Sequence, residues 1–175
     1  ALILAGAAVV ALLFLASMLQ ASRGQFVPQV VDLYLVAQYA RAMADGHPFQ
    51  YNAGEGGSTG ATSLLHTGLL AAAHRIGFRG EGLIAFAILS GAALYLGTVK
   101  MARDVGLLLG GRRESRLAGG LVALGGPVVW GFLYGADVAL FMFLATWLLR
   151  SLLVAWPSGR CGPVVAPLVL AALTR

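Results

Sequence analysis

The sequence is poor in charge and in sulfur. Only 11% of its 175 residues are Asp, Glu, Lys or Arg, against about 25% in soluble proteins. No charged residue precedes Arg23. A soluble domain could not cover its surface with so few charges, and a disordered chain would hold fewer apolar side chains. Both classes are excluded. Cysteine occurs once, as Cys161, which excludes an internal disulfide and a thiolate-rich zinc or iron–sulfur site. Lysine also occurs once, as Lys100, and does not close a glycine-rich nucleotide loop. A serine hydrolase is not expected.

Apolar side chains are abundant. They make up 59% of the chain before its 24 glycines are counted, and the mean hydropathy is +0.83. An all-α, multi-pass transmembrane helix bundle follows, because one crossing takes about 20 apolar residues. The apolar runs predict spans at 2–19, 82–99, 117–136, 138–156 and 164–175. The first reads as a retained helix rather than a cleaved signal peptide. The chain begins without methionine and stops inside an apolar run, so it reads as the N-terminal part of one transmembrane domain. Lys and Arg exceed Asp and Glu by 12 to 7. The basic residues fall between apolar runs, as loop charges of membrane proteins do. The lipid bilayer is therefore the expected partner, and nucleic acid is not.

Residues 20–81 differ from the rest and read as a loop carrying interfacial helices. Val30 to Asp45 predicts a short helix, with Asp32 near the positive end of its dipole. Arg41 and Asp45 are spaced to pair, and Gly46, His47 and Pro48 end the helix. The stretch from Tyr51 to Thr62 is compatible with an ordered or a flexible loop. Thr62 to Phe78 is short for a crossing and contains His66, His74 and Arg75, which favours an interfacial position.

Charge sets the expected topology. Lys100 to Arg116 reads as a cytoplasmic loop with five basic and two acidic residues, and Arg150 to Arg160 lies on the same side. The tip near Asp137 is then outside. With Thr62 to Phe78 at the surface, the Asp32 loop is outside too.

Asp32 is either a helix-start acid or a functional carboxylate. Asp137 stands between two apolar runs, where a charge is costly and functional roles concentrate. His47, His66 and His74 are 19 and 8 residues apart, a spacing that puts no two on one helical turn, so they read as interfacial or loop residues. Gly131 and Gly135 read as a helix-packing pair. Arg150 is expected to extend to the cytoplasmic surface, and Arg175 to need an acid, a phosphate or water.

The order of short motifs resembles a family. Val31-Asp32-Leu33-Tyr34, followed by Tyr39-Ala40-Arg41-Ala42-Met43-Ala44-Asp45-Gly46-His47, resembles the first outer loop of GT-C type membrane glycosyltransferases. These include protein O-mannosyltransferase-like and arabinosyltransferase-like enzymes. Tyr51-Asn52-Ala53-Gly54-Glu55 and Ser58 to Leu65 are similar to the family's "YNPGE…TGATSPL" loop. Trp130 to Phe141 resembles its second acidic site, and Ala171 to Arg175 the start of its "ALTRPEG" stretch. Four positions depart from the pattern: Val31 replaces one acid of a pair, Gln38 an arginine, Leu64 a proline and Asp137 a glutamate.

The resemblance implies an inverting transfer of a sugar from a polyprenyl-phosphate donor to a hydroxyl of a glycan, lipid or protein. It places the reaction at the outer face of the cell membrane. It makes Asp32 the base, at the family's spacing before Tyr39, and gives Asp137 an orienting role. It implies substrate contacts from Tyr34, Arg41, Tyr51, Asn52, Glu55, Thr62 and Arg175. The family divides on metal use. Magnesium or manganese would take Asp32 and Asp137 as hard oxygen ligands. The competing readings are a transporter or assembly subunit, and an inactive relative.

Overall fold

Where no water is available, backbone N–H and C=O groups are satisfied within a helix, and the apolar runs of this chain fold accordingly. The computed structural model describes residues 2–52, 54–58 and 60–174, and among these it is helical without strands. The elements are α1 (Leu2–Ala21), α2 (Val31–Ala44), α3 (Leu64–Arg75), α4 (Glu81–Gly110), α5 (Arg112–Leu124), α6 (Gly126–Leu133), α7 (Asp137–Ala155) and α8 (Gly162–Ala172). Three helices, α1, α4 and α7, are long and apolar enough to cross a membrane. The α5–α6 pair qualifies as a fourth crossing only if its 61° bend is counted as one span.

Gly125, Gly126 and Pro127 cause that bend. Pro127 has no N–H to give the carbonyl of Ala123, four residues earlier. Tyr95, fully buried on α4, supplies the missing donor: its hydroxyl donates to the Ala123 carbonyl at 2.6 Å. Tyr95→Phe leaves that carbonyl unpaired. We expect a loss of about 1–2 kcal/mol, read as a lower thermal midpoint in detergent with helicity unchanged.

One expectation is corrected at the other end of α4. Lys100 to Arg116 is not a loop. Helix α4 continues through Lys100, Arg103 and Asp104 to Gly110, turns at Gly111, and re-enters helix at Arg112. With 30 residues it is about 45 Å long at 1.5 Å per residue, so it outruns a hydrocarbon core of about 30 Å. Its final turns are helical because α5 packs back along them. Arg150 is half-exposed at this end, and its Nε donates to Asp104 Oδ2 of α4 at 3.0 Å.

Helix directions give the bundle two distinct ends. Ile3, at the start of α1, lies near Gly119 and Arg103. Met18, at its finish, packs with Leu33 of α2, Leu70 of α3 and Ile84 of α4. Helix α7 runs from Asp137 to its pair with Asp104, and α8 returns so that the Leu173 carbonyl accepts from the Leu65 N–H at the start of α3, at 2.9 Å. Lys100, Arg103, Arg112, Arg113, Arg116 and Arg150 occupy one end. Helices α2 and α3 and the α6–α7 corner occupy the other.

Helix α3 has 12 residues, about 18 Å, too short to cross. Its N-cap is Ser63, which accepts from the His66 N–H at 3.4 Å. One expectation about it is narrowed: His66 is not a loop residue but is buried within α3.

Candidate functional site

The site is built from the starts of α2, α3 and α7. Helix α2 forms because Leu33, Ala40 and Ala44 recur on one face and bury against α3 and α4. It stops in a Schellman arrangement, in which the His47 N–H bonds the Ala42 carbonyl at 2.9 Å and the Gly46 N–H bonds Met43 at 3.2 Å. Gly46 has φ +92°, a conformation glycine adopts without strain. Asp45, which was expected to pair with Arg41, is the C-cap instead. Its backbone N–H bonds the Arg41 carbonyl, and among the described residues the two side chains form no ion pair.

Gly135 joins α2 to the second acid. It lies between α6 and α7 at φ +89°, and a Cβ there would sit 2.7 Å from Leu33 Cδ2 and 3.1 Å from Ile88 Cγ1. Gly135 is thus the corner residue that admits Leu33, not half of a helix-packing pair. Gly131 does face α7, near Met142 and Val138. Asp32 is adjacent in sequence to Leu33 and Asp137 lies two residues beyond Gly135, so both acids are carried to one end of the bundle. Asp32 is exposed in the first turn of α2, with no hydrogen bond or ion pair among the described residues. Asp137 is half-buried in the first turn of α7.

His66 faces the same corner. It is 4% exposed, and its Nδ1 has no hydrogen-bond partner among the described residues. Burial pushes its pKa down from 6.5 to about 4, with the Asp137 carboxylate pulling the other way. His66 is therefore neutral near pH 7. Its only sequence signal was a histidine among the apolar residues of the first turns of α3.

The loop after α2 is ordered on it. Gln38 donates to the Tyr51 carbonyl at 2.9 Å and to Asn52 Oδ1 at 3.2 Å. Asn52 donates to Glu55 through its backbone N–H and its side-chain amide. The Tyr51 and Tyr39 rings meet edge to face, and the Tyr39 hydroxyl bonds Ser58. Gly56 to Gly60 has the Gly-x-Ser-x-Gly spacing of a nucleophile elbow, which the sequence reading overlooked. An elbow needs a strand before it and a helix after it. Here the described residues lie in a loop and Ser58 meets a tyrosine.

The remaining expected residues divide. At 100° per residue Asp32 and Tyr39 share one side of α2, whereas Tyr34 and Arg41 project roughly opposite. Tyr34 and Arg41 line a separate cleft of about 430 Å³ with Gln38, His74 and Glu81. Thr62 is exposed just before α3. Arg175 lies outside the described residues.

Among the described residues, no three His, Cys, Asp or Glu side chains converge to hold a metal ion. Asp32 and Asp137 are oxygen donors of the kind magnesium or manganese takes, but two carboxylates do not define a site. No family model, curated protein or solved structure matches the chain.

Proposed function

We propose that the chain is part of a GT-C-like membrane glycosyltransferase that moves a sugar from a polyprenyl-phosphate donor to an acceptor hydroxyl at the outer face of the cell membrane. The observation that carries the reading is the seating of Leu33 against Gly135, which brings the starts of α2 and α7, and with them Asp32 and Asp137, to one end of the bundle. Arg23, Arg41, Arg75 and Arg79 on this side are balanced by Asp32, Asp45, Glu55, Glu81 and Asp137, whereas Lys100, Arg103, Arg112, Arg113, Arg116 and Arg150 lie at the opposite end. The positive-inside rule turns that end to the cytoplasm and the acids outward, with α2 and α3 lying along the outer surface.

In this mechanism Asp32, free of internal partners, takes the proton of the acceptor hydroxyl. The acceptor oxygen bonds to the anomeric carbon from the side opposite the phosphate. The carbon–oxygen bond to the phosphate breaks, polyprenyl phosphate leaves, and the configuration inverts. Asp137, held beside neutral His66, orients the acceptor. The ordered loop with Tyr51, Asn52 and Glu55 offers hydroxyl, amide and carboxylate groups to a sugar. A divalent cation, if one is used, falls to Asp32 and Asp137. A transporter reading has less support, because the broken helix at Gly125 has no ionisable side chain at its break and Tyr95 already satisfies its freed carbonyl.

The test is a transfer assay with the full-length protein in liposomes, using a panel of labelled polyprenyl-phosphate pentoses and hexoses with membrane-extract acceptors. Acceptor-dependent release of polyprenyl phosphate from at least one donor is expected. Release from none of them contradicts the reading.

A further inference from the structure

The cleft on the far side of α2 has a composition of its own. Arg41 and Glu81 both line it, yet the ion pair found among the described residues is Arg150–Asp104, so the two do not neutralise each other. Glu81 Oε1 accepts from the Phe26 N–H at 2.8 Å, which ties the α1–α2 connection to the start of α4. His74 Nδ1, buried, has no partner among the described residues. Tyr34 and Gln38 add polar groups to the lining, and Leu83 and Ile84 apolar ones. A cation and an anion that line one cleft without pairing to each other match a ligand that carries both charges.

The depth of the cleft narrows the chemistry. Its lining includes Gln25 to Val27, just past the end of α1, and Gly80, Glu81, Leu83 and Ile84, where α4 begins. Both helices are long and apolar enough to cross a membrane, so the cleft lies where the hydrocarbon gives way to headgroups. The anion abundant at that depth is phosphate, which the guanidinium fork fits. The partner for a carboxylate is an ammonium with N–H donors. A trimethylammonium has none, and a glycerol headgroup has no positive charge. We infer that this cleft binds a phosphoethanolamine group, with Arg41 on the phosphate and Glu81 on the ammonium. The inference stands apart from the glycosyl-transfer reading.

Native mass spectrometry of the full-length protein, stripped of lipid in detergent, tests it. The probes are short-chain phosphatidylethanolamine, phosphatidylcholine and phosphatidylglycerol with the same acyl chains, and free phosphoethanolamine. Loss of one charge-assisted contact costs on the order of tenfold in affinity. Phosphatidylethanolamine should therefore bind roughly tenfold more tightly than the other two lipids. Arg41→Gln and Glu81→Gln should each abolish the preference, and Glu81→Gln keeps a side-chain oxygen for the Phe26 N–H. Displacement by equimolar phosphoethanolamine would assign the site to a soluble ligand, and failure to displace to the lipid headgroup. Equal binding of the three lipids by the unmodified protein overturns the inference, whether or not the variants fold. So does a preference that survives in the Arg41→Gln, Glu81→Gln double variant.

Discussion

Asp32→Asn is expected to lower sugar transfer by about 10²–10⁴-fold, the usual worth of a general base. Asparagine keeps the shape of the side chain and removes its proton affinity. The fold should survive, because Asp32 is exposed and makes no hydrogen bond among the described residues. Loss of its charge from the helix start costs about 0.3–1 kcal/mol. Asp137→Asn should reduce transfer less, since the proposed mechanism gives that residue an orienting role and not the proton transfer. It should also lower the His66 pKa further, by removing the carboxylate that raises it. Initial rates of polyprenyl-phosphate release, with circular dichroism as a control on folding, separate these outcomes. Near-normal transfer by a folded Asp32→Asn variant would reduce Asp32 to a helix-start acid and move the base to Asp137.

Acid should loosen the protein through His66. Its pKa is 6.5 in the unfolded chain and about 4 in the folded one. Between those values the unfolded state binds more protons, so stability falls as the pH falls. The contribution is complete above pH 6.5 and fades towards pH 4. The full difference is worth roughly 3 kcal/mol. Thermal midpoints in detergent between pH 7.5 and 4 should drop more for the unmodified protein than for His66→Gln, which cannot titrate. The carboxylates titrate in both proteins, so the comparison isolates the histidine. Identical pH profiles would contradict the burial of His66 beside Asp137.

Hydrophobic runs made much of the fold legible. The first span, the short helix after it, the stop at Gly46 and the break at Gly125 to Pro127 all follow from local rules about apolar length, glycine and proline. The extension of α4 to Gly110 did not, because a charged stretch is helical or not according to what packs on it, here α5. Pairings across the bundle were equally hidden. Arg150 meets Asp104 from 46 positions away, whereas Arg41 and Asp45 share a helical spacing and do not pair. Both acids of the candidate site were visible as residues. The seat of Leu33 against Gly135, which carries them to one end, required the tertiary structure. So did the burial of His66, since a histidine near the start of a short helix looks the same from the sequence whether it faces the core or the surface. The separation of Asp32 from Tyr34 and Arg41 was implicit in the helical period.

The central claim is that the end bearing Asp32 and Asp137 faces outward and the basic end faces the cytoplasm. Labelling of intact cells with a membrane-impermeant maleimide tests it most directly, using Gly56→Cys and Arg113→Cys, each in a Cys161→Ser background. Both positions are exposed, one in the loop after α2 and the other in the first turn of α5. Gly56→Cys should label in intact cells, and Arg113→Cys only after permeabilisation. Labelling of both positions from the same side would contradict it.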